Sequence, residues 1–182
     1  LGGLAESLWQ ATGAELGAVM TVLDEVCTLA AAGRVAVARE ALTRGEVAAS
    51  QAGSLAAWIA ERAPSLAVTG GCAQVAAVVE AGNRVATAPV TAAACAGRVP
   101  IPVAVAVIRE IEKLRPRLVP EAVPTVVEAM LTVGAAYGIR AVREVRARLL
   151  AEHGAPGALQ REQDAASALV SLSAAVGDEL GA

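Results

Sequence analysis

The sequence predicts an all-α fold: a compact multi-helix bundle of about seven or eight helices around a buried helix at about residues 101–114. Three observations carry this. Apolar residues recur at steps of three and four over long stretches, and no run alternates as a half-buried strand would. Residues 103–108, VAVAVI, put apolar groups all round a helix, which suits a core helix or a membrane span. That run is too short to span, since a bilayer takes about 20 apolar residues. Finally, 55% of the 182 residues are hydrophobic, yet Trp9, Trp58 and Tyr137 are the only aromatics. A core of Ala, Val, Leu and Ile lets helices approach closely.

Taken in order, Leu4 to Ala32 shows a helical period through Leu4, Leu8, Leu16, Val19, Leu23, Val26 and Leu29, with a break expected near Thr12–Gly13. Gly33 reads as punctuation before a second helix, Arg34 to Arg44. Glu46 to Gly53 is a connection or a short helical turn. Ser54 suits the N-cap of Leu55 to Arg62. Pro64 breaks that helix, and Gly71 to Ala81 forms the next. Pro89 fits the first turn of a helix that Gly97 ends. Pro100 and Pro102 then hold the start of the central helix near Ile101. Val119 to Gly134 reads as helical, with Pro120 near its start; Pro124 argues for a start nearer Val123 or for a kink, and Tyr137–Gly138 is a turn. Ile139 to His153 is amphipathic, and a last helix is expected over Leu159 to Leu172.

The net charge of −3 is unevenly spread. Residues 1–108 carry 6 basic and 8 acidic groups; residues 109–153 carry 8 and 6; residues 154–182 carry 1 and 4. A whole-chain electropositive nucleic-acid binder would look different, so an anionic partner must be met by a local patch. Arg140, Arg143 and Arg146, with Arg148 flanking, form that patch opposite Val142, Val145 and Leu149. Their spacing could follow a phosphate backbone. A solvated face with local ion pairs is the competing reading.

No catalytic residue, metal site or cofactor is expected. His153 is the sole histidine. It sits at a helix C-terminus, where a cation is favourable, and it lacks partners for a nucleophile or metal site. Cys27, Cys72 and Cys95 have no zinc spacing and read as reduced, buried thiols of a cytoplasmic protein. The pairs Asp24/Glu25 and Glu110/Glu112 read as solvated. Gly70–Gly71 before a helix is a weak anion seat without a preceding strand. Ser54 to Ala81 resembles two helices about a turn, but Gln74 is almost its only base-reading side chain.

Several stretches resemble the 13E12-repeat family, also called domain of unknown function number 222. The landmarks are Arg44-Gly45, Ser50-Gln51-Ala52, Trp58, Ala96-Gly97-Arg98-Val99-Pro100 and Leu159-Gln160-Arg161-Glu162, and the similarity runs over about residues 34–173. In that family the helical region lies N-terminal to an HNH endonuclease domain in high-G+C bacteria. The resemblance implies a parent protein with metal-dependent nuclease activity on DNA. Its His-Asn-His chemistry has no positions here to map onto.

The expected organisation is a helical domain over 1–153, with residues 154–182 a linker, final helix and tail leading toward a further domain. The expected function is that of a non-catalytic accessory module of an HNH endonuclease, cytoplasmic and without membrane contact. It would meet DNA through Arg140, Arg143, Arg146 and Arg148. The alternative is a helical homo-oligomerisation or scaffold domain, a homodimer for example, with no nucleic-acid contact.

Overall fold

The computed structural model describes residues 7–157 together with residues 3 and 160; the expected helix over 159–172 lies outside them. The described residues form nine α-helices and no strand. They are α1 (Gly13–Thr43), α2 (Glu46–Ala49), α3 (Leu55–Arg62), α4 (Pro64–Ala67), α5 (Gly71–Ala81), α6 (Ala88–Cys95), α7 (Ile101–Leu114), α8 (Val123–Glu144) and α9 (Arg146–His153). Two of the nine are single turns, and short 3-10 turns precede α1 and α8.

α7 is the centre. Val103 to Ile108, Ile111 and Leu114 are all buried, and α5, α6, α8 and α9 pack around them. Full burial of an Ile or Leu side chain contributes roughly 1.5–3 kcal/mol. Ile111 and Leu114 are wholly enclosed. The corner that feeds α7 has the expected chemistry: Gly97 (φ 69°) ends α6, and Pro100 is extended at the N-cap of α7.

Close packing needs small residues at defined places. A Cβ on Gly134 of α8 would stand 2.7 Å from Val103 Cγ1 and 2.9 Å from Val142 Cγ2. Two buried threonines lock α6 to the end of α5. Thr87 Oγ1 donates to the Ala81 carbonyl at 2.7 Å, and Thr91 Oγ1 to the Val78 carbonyl at 2.6 Å. Each hydroxyl is thereby satisfied inside the core, which offsets the cost of burying it.

α1 departs from expectation. It runs unbroken through Gly33, because a single helical glycine costs only about 1 kcal/mol and α1 has 31 residues to absorb it. The break near Thr12–Gly13 is a capping box. Glu15 N donates to Thr12 Oγ1 at 3.3 Å, and Thr12 N donates to Glu15 Oε2 at 2.7 Å. Only the second half packs on the bundle, through Ala32, Val35, Ala38 and Ala41. Leu16, Met20, Val22, Leu23, Val26 and Leu29 are exposed. Cys27 is exposed with them, contrary to the expected buried thiol, because among the described residues no element covers the arm; Cys72 is buried and Cys95 half-buried, and all three are free.

Among the described residues two stretches are long and apolar enough to cross a membrane, Gly13–Thr43 and Pro120–Glu144. The second supplies Val126, Val127, Met130 and Leu131 to the core against α7. α5, the would-be recognition helix of the Ser54–Ala81 pair, is also a core helix, burying Cys72, Val75, Val78 and Val79. That burial removes it from a DNA groove.

Gly134→Ala should destabilise the fold by about 1–3 kcal/mol, because the stiff Val103 and Val142 side chains cannot yield; urea unfolding measures it. The hydrogen bond from the Thr12 N–H holds the Glu15 carboxyl below its usual range. Its folded value is depressed, so the cap's contribution is present above the ordinary carboxylate range and is lost as pH falls through the folded value. The protection of the Thr12 and Glu15 amides, taken against the intrinsic exchange rate at each pH, should therefore fall on acidification, and Glu15→Gln should remove most of that pH dependence.

Candidate functional site

An open cavity of about 460 Å³ lies where α5, α7, α8 and α9 meet. α7 contributes Arg109, Glu110 and Lys113; residues 109 and 113 are i and i+4, so they share a face. Arg143 of α8, Arg146 of α9 and Gln74 of α5 close it, over an apolar wall of Pro102, Val105, Ala106 and Ile139. Four cations face one carboxylate, a local balance of 4 − 1 = +3 on a chain of net charge −3.

The carboxylate is the unexpected group. Glu110 was expected in solvent, but its side chain is 7% exposed. Lys113 Nζ donates to its Oε1 at 2.8 Å, and Arg146 Nη1 stands 3.8 Å from its Oε2. Burial of the charge is tolerable because it lies between two cations. Glu112 is two residues on and so on another face. It is exposed and pairs across the surface with Arg84.

The arginine face divides. Val142, Leu149 and Leu150 are buried and fix the rotation of the chain from Ile139 to His153. Arg143 and Arg146 then border the cavity, and the Arg146 side chain is only 28% exposed. Arg140 and Arg148 point outward, 90% and 79% exposed, in i,i+4 pairs with Glu144 (2.6 Å) and Glu152 (2.8 Å). The hydrogen bond to Glu152 raises Arg148 and lowers Glu152. Such exposed pairs contribute little to stability.

Gly138 opens the segment that carries all four arginines. Its φ of 77° and ψ of −168° break α8 at the expected Tyr137–Gly138 turn, in a region of backbone space that is essentially glycine's alone. The far end is tied down too. Gly154 bridges to Leu118, Val119 N donates to the His153 carbonyl at 3.1 Å, and Ala155 N donates to the Arg117 carbonyl at 2.8 Å. The first residues of the expected linker are thus stitched to the bundle.

Sequence reasoning missed Arg109, Lys113 and Gln74 as site residues. The available signal was an i,i+4 pair of cations at the end of an otherwise apolar helix. Among the described residues no group of His, Cys, Asp and Glu is placed to hold a metal ion. The chemistry the cavity offers is anion binding, with guanidinium forks suited to phosphate or carboxylate oxygens.

Glu110→Gln removes the one carboxylate and raises the cavity's balance from +3 to +4. It should lower stability by roughly 1–3 kcal/mol, because Lys113 and Arg146 lose their shared partner. Urea unfolding at neutral pH tests this, and a stability above wild type would contradict the pairing role.

Comparison of the chain with protein-family models, with curated proteins and with solved structures finds no match.

Proposed function

We propose that this chain is a non-catalytic helical module that contacts the DNA phosphate backbone through the cavity between α5, α7, α8 and α9. In its parent protein it would position or regulate an HNH endonuclease domain, in the cytoplasm. The observation that carries the DNA contact is the convergence of Arg109, Lys113, Arg143 and Arg146, from three helices, on one open cavity. The rest of the chain is acidic on balance, so attraction acts only within about a Debye length, roughly 8–10 Å at ordinary salt. That favours backbone contact at one place over wrapping. The nuclease context rests on the family resemblance of residues 34–173.

A second reading, a homo-oligomerisation or scaffold module, is favoured by a different observation. The first half of α1 exposes a run of large apolar side chains.

Duplex DNA of arbitrary sequence should bind at low salt and release as salt rises. Arg143→Ala with Arg146→Ala should weaken binding and flatten the salt slope by about 0.9 per lost phosphate contact. Arg140→Ala with Arg148→Ala should have the smaller effect, since those guanidinium groups already pair with Glu144 and Glu152. Fluorescence anisotropy reads both, and no binding at low salt would sink the DNA contact.

A further inference from the structure

We propose that α1 pairs antiparallel with α1 of a second copy of this chain, about a two-fold axis at the level of Thr28 but on the helix face turned away from the bundle. The inference rests on the oligomerisation reading and gives it a face, a direction and a register.

The face is written in the spacing. Leu16, Val19, Leu23, Val26, Ala30, Gly33 and Val37 follow alternating steps of three and four. That is the 3.5-residue repeat by which two helices keep one seam in contact, sustained here over three heptads. At 100° per residue the seam lies roughly 150° round the helix from the Ala32, Val35 and Ala38 face that packs on the bundle. It is open along its length: Leu16, Val26 and Val37 are 44%, 55% and 62% exposed. Thr28 is where the free arm meets the bundle, 3.8 Å from a Cβ placed on Gly97.

The register follows from size. An axis at the level of Thr28 sets Leu23 over the partner's Gly33, Val26 over the partner's Ala30, and Val19 beside the partner's Val37. Large side chains meet small ones at two of these layers, so the helices can close to about 8–10 Å. The incoming arm would also cover a groove of about 550 Å³ between α1 and α3–α4, walled by Trp58 and Leu66.

Direction follows from charge. The first half of α1 carries Glu15, Asp24 and Glu25, while the second half exposes Arg34 and Arg39, and its one acid, Glu40, is paired with Arg44. Arg62, stacked 4.4 Å above the Trp58 ring centroid, stands on the groove wall. Antiparallel pairing sets acid beside base; parallel pairing sets acid beside acid. The 22-residue seam is about 33 Å long. In this register six seam positions on each copy meet one another and Leu16 covers the stem of the partner's Glu40; together they would bury on the order of 1,200 Å² in total, the lower range of stable interfaces. A bilayer is the poorer occupant, because Asp24 and Glu25 interrupt the arm, and a carboxylate at the centre of a span costs about 2.5–3.5 kcal/mol.

Light scattering of the 182-residue chain at high micromolar concentration should give twice the 18.2 kDa monomer mass. Cys27 lies at the seam's edge, one residue from the axis. A short bis-maleimide should therefore link it to the partner's Cys27, and Cys27→Ser should abolish the link while leaving the dimer. Leu23→Arg and Val26→Arg should each give a monomer with unchanged far-ultraviolet dichroism. A wild-type monomer would overturn both the pairing and the oligomerisation reading. A dimer that survives Leu23→Arg and Val26→Arg, with no Cys27 link, would overturn the seam and keep that reading. Flotation of a monomer with phosphatidylcholine vesicles, lost in Leu23→Arg, would make the arm a membrane element and overturn the pairing.

Discussion

Everything in the bundle answers to one constraint: α7 is apolar almost all round and must be enclosed. A helix with a single apolar stripe needs one neighbour, whereas this one takes α5, α6, α8 and α9 together. Four neighbours can crowd one cylinder only if the contacts are small. Ala93, Ala94 and Ala104 are buried in that contact zone, and Gly134 lets α8 approach Val103 where no other residue would fit. The near-absence of aromatics is a consequence of the same geometry, since a Phe in such a contact would hold the axes apart. The two threonine bonds at the α5–α6 join belong here too. They let a sharp reversal be buried without leaving the Ala81 and Val78 carbonyls short of donors.

The enclosure is incomplete at the C-terminal turns of α7, and chemistry enters there. Arg109, Glu110 and Lys113 occupy the part of the helix that α5 and α9 flank without covering. A buried carboxylate is costly unless paired. Glu110 is paired from two sides, so the crevice keeps a surplus of positive charge while its floor stays satisfied. The cationic cavity is thus a by-product of how α7 ends, with Arg143 and Arg146 added from across the gap.

Much of the fold was legible because it depends on local rules. Ser54 caps α3, Pro100 and Pro102 start α7, Gly97 ends α6 and Gly138 breaks α8, each by a preference that neighbouring residues alone determine. What was illegible depended on distance. Gly33 looked like a stop but is overridden by the helix on both sides of it. Glu110 looked solvated because its partner Arg146 lies 36 residues away in sequence. The arginine face looked like one surface because the sequence does not say where α7 lies against it; the cavity beside Glu110 takes Arg143 and Arg146 and leaves Arg140 and Arg148 outside. Cys27 looked buried because composition cannot say which apolar stretch lacks a neighbour.

The Gly138 break also acts as a joint. Residues 139–153 form one jaw of a caliper whose other jaw is α7, and the reach from the joint to Arg146 is about 12 Å along the helix. A rotation of 10° at Gly138 would move the Arg146 guanidinium by about 2 Å, the difference between a bond and a gap. The stitch from residues 153–155 to 117–119 then serves as the locking screw at the far end. The cavity's gauge thus answers to one glycine's torsion angles, a few backbone hydrogen bonds and the packing of Val142, Leu149 and Leu150, none of them in the cavity.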